Sequence, residues 1–116
     1  MEDEASGEGW RLLLGDSCER LGELADDSID LSVYSPPFAS LYTYSPSERD
    51  LGNSATDDEF FEHYRFILSE VLRVTKPGRN SCVHVQQVTL SKANYGYIGM
   101  SDFRGKVIQA HLDAGW

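Results

Sequence analysis

At 116 residues the chain is long enough for one domain with a modest core, and with 41% hydrophobic and 11% aromatic residues it has a globular composition. No apolar run reaches the ~18 residues of a membrane-spanning helix, so such a span is excluded. The net charge of −9 is uneven: residues 1–50 hold 12 acids and 3 bases, residues 51–116 hold 7 of each, and no basic patch of the kind that grips nucleic-acid phosphates is visible.

Residues 1–10 are polar and acidic, without the pattern of a signal or transit peptide. They predict a disordered acidic tail ahead of a domain at 11–116. Arg11–Leu14 is a short apolar strand ended by Gly15-Asp16, and Asp16 or Ser17 can cap the helix that follows. Within Cys18–Ala25 the apolar positions Cys18, Leu21, Leu24 and Ala25 share one helical face. Asp26-Asp27-Ser28 is a turn. Ile29–Tyr34 follows as a strand with little alternation, the pattern of a central strand buried on both faces. It halts at Pro36 and Pro37, which have no N–H for a sheet ladder and push the preceding residues into extended conformations. The prediction is a stiff loop at the carboxyl end of a strand, where open α/β sheets bind ligands.

Ala39–Ala55 has no clear period and reads as a long loop; its Tyr42 and Tyr44 suit either stacking over a site or a solvated connector. Thr56-Asp57-Asp58-Glu59 is a capping box. It opens an amphipathic helix over Asp57–Thr75, with Phe60, Tyr64, Ile67, Leu68, Val71 and Leu72 on one face and Pro77-Gly78 as the stop. Asn80–Val88 is the next strand, with His84, Gln86 and Gln87 near its carboxyl end, and it is expected to lie parallel to Ile29–Tyr34 with the helix as crossover. Thr89–Met100 reads as a loop. Ser101-Asp102 can cap a last helix, Phe103–Ala114, which Gly115 would stop. Cys18 and Cys82 form no paired motif and fit buried thiols in a reducing cytosol, which predicts a cytoplasmic protein. His63, His84 and His111 show no ligand spacing, so no metal site is predicted.

The chemistry-bearing stretch is Ser35-Pro36-Pro37-Phe38. An exocyclic amino group on a base is a poor nucleophile because its lone pair is delocalised into the ring. The Ser35 hydroxyl and the Pro36 carbonyl are neutral acceptors able to bind its hydrogens. The prolines limit reorganisation, and Phe38 offers a planar base a stacking surface. The stretch resembles the (Asp/Asn/Ser)-Pro-Pro-(Tyr/Phe) catalytic motif of amino-group DNA methyltransferases. Its context fits as well: Leu12-Leu13-Leu14-Gly15-Asp16, Asp26-Asp27-Ser28-Ile29-Asp30, the Ser-Pro-Pro stretch and Val71-Leu72-Arg73-Val74-Thr75-Lys76-Pro77-Gly78 follow one another as in the permuted, beta-type class, whose catalytic half precedes its cofactor half.

That resemblance covers residues 11–116. It implies an α/β, partial Rossmann-like fold of the S-adenosylmethionine-dependent methyltransferases, a parallel sheet flanked by helices. It implies methyl transfer from S-adenosyl-L-methionine to N4 of cytosine or N6 of adenine in DNA, the chemistry of restriction–modification. Ser35, Pro36, Pro37 and Phe38 would then be catalytic, with Asp16 near the adenine end of the cofactor and Ser35 also beside it. The target-recognition region and a Phe-x-Gly-x-Gly-type cofactor loop would follow Trp116, leaving this chain incomplete by itself, with weak cofactor binding and DNA held elsewhere. Two other readings stand beside it. One is an inactive, self-associating fragment or binding module, for which a homodimer is the default. The other is the same chemistry on RNA or a protein glutamine, for which Asn before Pro-Pro is the more familiar residue.

Overall fold

The computed structural model describes residues 3–36, 57–90, 92, 96 and 99–116. The chain opens on a hairpin. Strand β1 (Asp3–Gly7) pairs antiparallel with β2 (Trp10–Leu14) across Glu8-Gly9, and Gly9 takes a φ of 80°, which tight hairpin turns favour. The predicted disordered tail is thus a strand. Backbone pairing needs only a turn and an open edge. The charge is met by Arg11 and Arg20, which lie 3.3 and 3.2 Å from the Glu4 carboxylate. Hydrogen bonding to Arg11, above all, holds that carboxyl below its ordinary pKa.

Helix α1 is shorter than predicted, Ser17–Leu21, because Gly22 ends it. The turn that follows is tied to the end of the long helix α2 (Asp57–Val74). The Asp27 and Ser28 amides donate to the Arg73 and Val74 carbonyls at 3.0 and 2.8 Å. Arg73 itself donates to the carbonyls of Leu21 and Leu24 at 2.9 and 3.0 Å and to Asp26 at 2.6 Å.

Strand β3 (Ile29–Tyr34) pairs in parallel with β4 (Thr75–Val83), the predicted neighbours. The predicted boundaries shift: β4 starts directly at the helix end and stops at Val83 rather than Val88. Its register jumps, from Ile29↔Thr75 to Leu31↔Asn80, so Lys76-Pro77-Gly78-Arg79 bulges out of the ladder. Gly78 turns the bulge at φ 79°. Lys76 and Arg79 reach back to Asp30 at 2.8 and 3.8 Å, and hydrogen bonding to Lys76 chiefly lowers the Asp30 pKa.

The predicted loop 89–100 contains pairing strands as well: β5 (Val88–Leu90) lies antiparallel to β6 (Gly99–Ser101). Helix α3 (Phe103–Ala114) has its predicted bounds, with Asp102 as N-cap and Gly115 in the left-handed conformation at its end. The Thr56 cap and the loop 39–55 lie outside the described residues.

The core sits between α2 and α3. Phe60, Tyr64 and Leu68 of the former and Phe103 and Val107 of the latter are buried, and Tyr34, Val83 and Val85 pack against them from the strand side. Both helices therefore cover the face of β3–β4 that carries Tyr34 and Val83. The opposite face, with Leu31 55% and Val33 72% exposed, is bare. This corrects the expectation of a strand buried on both faces. It also explains Cys82, which pairs with Val33 and is exposed, while Cys18 is half-buried. Neither is the buried thiol that was predicted.

Candidate active site at the end of the parallel strands

The β3–β4 register sets the site. Continued one residue beyond Tyr34↔Val83, it puts Ser35 opposite His84. The ladder makes one more bond there, His84 N–H to the Tyr34 carbonyl at 2.9 Å. The Ser35 hydroxyl then donates to the His84 carbonyl at 2.9 Å and lies 3.3 Å from the His84 ring Nδ1. Both side chains are exposed, whereas Pro36 is buried. The hydroxyl's one proton is thus committed to backbone, which leaves its oxygen to act as an acceptor. Pro37 and Phe38, the other two predicted catalytic residues, lie outside the described residues.

The strand end is held from below by two phenols. The Tyr34 and Tyr64 hydroxyls are 2.8 Å apart. Burial raises the pKa of both, and hydrogen bonding to Tyr34 raises that of Tyr64 further. Nearer the sheet, Ser32 donates to Ser81 at 2.7 Å. The first bond ties the residue before Ser35 to the core helix and the second ties β3 to β4, so the site inherits the rigidity of the core.

In the sequence His84 is only one of several polar residues near a strand end. The signal that could have found its partner is the register, which one sequence does not print. Gln87 has a local task instead. Its Nε2 donates to Asp102 at 2.7 Å and its Oε1 accepts from the Arg104 amide at 2.9 Å. Gln87 and then the Gly105 amide lower the Asp102 pKa, so this amide stitches the segment after β4 to the start of α3.

Asp16 is the N-cap of α1, its Oδ1 accepting from the Cys18 amide at 2.9 Å. A carboxylate only accepts hydrogen bonds, so its chemistry fits a ligand hydroxyl as the donor. Asp16 follows β2, however, and Ser35 follows β3, which belong to different two-stranded sheets. Among the described residues no three His, Cys, Asp or Glu side chains gather as metal ligands, and no helix is long and apolar enough to cross a membrane. A groove of about 760 Å³ between α2 and α3 is lined by Phe61, Arg65, Phe66 and Lys106, among others, and not by Asp16, Ser35, Pro36 or His84.

No family model matches the sequence, and no curated protein matches it. Solved structures do. A crystal structure of a Thermus thermophilus protein assigned as a DNA modification methylase superposes with a TM-score of 0.67 at 22% identity, over 88% of this chain and 39% of that one. The complex of that protein with S-adenosyl-L-methionine gives a TM-score of 0.67 at 20% identity over the same shares. Its selenomethionine derivative gives 0.67 at 22%. The chain spans about two-fifths of the length of these structures. The likeness establishes the fold: α/β, a part of a Rossmann-like parallel sheet with its flanking helices.

Proposed function

We propose that this chain is the catalytic-motif part of an amino-group DNA methyltransferase, acting on N4 of cytosine or N6 of adenine. The observation that carries the reading is the Ser35 hydroxyl, fixed by backbone at the carboxyl end of a parallel strand and left as an acceptor. The fold shared with a methylase crystallised with S-adenosyl-L-methionine supports it. That cofactor would supply the methyl group, with Asp16 and Ser35 the residues of this chain that touch it. Ser35 and the Pro36 carbonyl would each take a hydrogen of the amino group, drawing its lone pair out of conjugation, while Pro37 stiffens the loop and Phe38 stacks on the base. Reaching that amino group in a duplex requires a flipped base, at a cost of a few kcal/mol. Serine at the acceptor position favours cytosine N4 as the target. The acidic first half of the chain leaves the phosphates to be gripped elsewhere in the complete enzyme.

The test is Ser35→Ala in the full-length protein. Methyl transfer to duplex DNA is expected to fall about 100-fold, the scale of one lost transition-state hydrogen bond, with duplex affinity unchanged. An equal fall in transfer and in duplex binding would reject a catalytic role.

The bare apolar strand face favours a second property, self-association of the chain, with a homodimer as its simplest form.

A further inference from the structure

We infer that His84 is a positioning residue for Ser35, acting as a hydrogen-bond donor through Nδ1. The inference rests on the reading of Ser35 as the acceptor for a substrate amino group. A hydroxyl has one hydrogen and two lone pairs. The Ser35 hydrogen goes to the His84 carbonyl at 2.9 Å. Nδ1, at 3.3 Å from the same oxygen, therefore cannot accept that hydrogen, and the arrangement closes only if Nδ1 carries a proton and donates it to Ser35 Oγ. Residue 84 then holds the serine twice, by its carbonyl and by its ring. One lone pair remains, and it takes a single substrate hydrogen.

The double hold matters because Ser35 is exposed. An exposed serine has three staggered χ1 states to choose from, and no packing selects among them. The backbone of residue 84 is fixed by its own bond to the Tyr34 carbonyl. The ring thus acts from a rigid base and selects the rotamer that presents the lone pair. Both the neutral Nδ1–H tautomer and the imidazolium supply this donor, so the role survives protonation of the ring. A general base at the same position would not survive it.

The tautomer is directly readable. In this chain, labelled with ¹⁵N-histidine, the neutral His84 ring is expected in the Nδ1–H form, its signal identified by its loss in His84→Asn. Ser35→Ala is expected to return the ring to the Nε2–H form that water favours. An Nε2–H ring in the unsubstituted chain, or a tautomer indifferent to Ser35→Ala, would overturn the inference. In the full-length protein, His84→Ala is expected to lower kcat for methyl transfer about 10-fold, the worth of one hydrogen bond, at unchanged KM for DNA. His84→Asn, whose amide can donate from a similar position, is expected to recover most of it. Equal rates for the two variants would count against positioning. The two readings can fail separately. An Nε2–H ring beside an inactive Ser35→Ala variant removes His84 and leaves the methyltransferase reading standing. An Nδ1–H ring beside a fully active Ser35→Ala variant keeps the contact and removes the catalytic serine.

Discussion

A hydroxyl is useful to this site only when its hydrogen is already spoken for, and one residue opposite Ser35 in the ladder sees to that. The residue before it is held as firmly, by the Tyr34–Tyr64 pair at 2.8 Å. Tyr64→Phe deletes that bond and leaves the Tyr34 hydroxyl half-buried beside an apolar ring. It is expected to cost about 1 kcal/mol in urea denaturation, and Tyr34→Phe added to it should cost less than the two single losses together. The pair also sets an alkaline limit. Both phenols are raised in the folded state, so the stability they carry is intact below the ordinary tyrosine value of about 10 and is lost as pH rises through their folded values. The share of the phenolate absorbance that the double substitution removes is expected to rise together with unfolding above that pH. Early titration of Tyr64 in the still-folded chain would contradict the burial argument.

Two kinds of contact hold the elements together, and they should fail differently. Along α2, Leu68 is fully buried between the helices and the strands. Leu68→Ala is expected to lower global stability by about 3 kcal/mol, the usual cost of a large-to-small core change. At the helix end, Arg73 works through directed bonds to Leu21, Leu24 and Asp26. Arg73→Ala is expected to speed hydrogen exchange at Asp27 and Ser28, whose amides bond to the same helix end, while amides in the middle of α2 and in α3 keep their protection. Uniform loss across the chain would mean that Arg73 belongs to the global core after all. The bulge at Lys76–Arg79 shows a third device. By stepping four residues out of the ladder it lets the helix run directly into its strand and still restores pairing by Leu31↔Asn80.

At the scale of the molecule, the helices protect one side of β3–β4 and leave the other bare. Leu31 and Val33 there, and Trp10, Leu12 and Leu14 on β2, are each more than half exposed. Apolar strands with uncovered faces and edges invite pairing with another chain. The pairing of β2 with β1 satisfies one edge locally. The net charge of −9 opposes contact between copies, and salt screens that repulsion. Association is therefore expected to strengthen with added salt, seen as a rising mass in light scattering across a salt series. A monomer at every salt level and high protein concentration would show that the bare face is not sticky.

The sequence by itself determined what is local. The capped last helix, the long amphipathic helix and the strand before the prolines were legible because turn chemistry and apolar period lie within a few residues of one another. The likeness at Ser35-Pro36-Pro37-Phe38 was legible for the same reason, and so was the parallel pairing, since a strand–helix–strand order admits few alternatives. The tertiary structure decided what depends on register and on covering. No periodicity in Asp3–Gly7 marks it as a strand; only the neighbouring edge of β2 makes it one. The apolar residues Leu31 and Val33 share one face of Ile29–Tyr34, yet the helices cover the other, which carries Tyr34, because covering depends on where two distant helices pack. And no local rule joins Ser35 to His84, residues 49 apart in the chain. That pairing follows from a four-residue bulge that resets the ladder, and a contact so set is fixed only when the two strands are laid side by side.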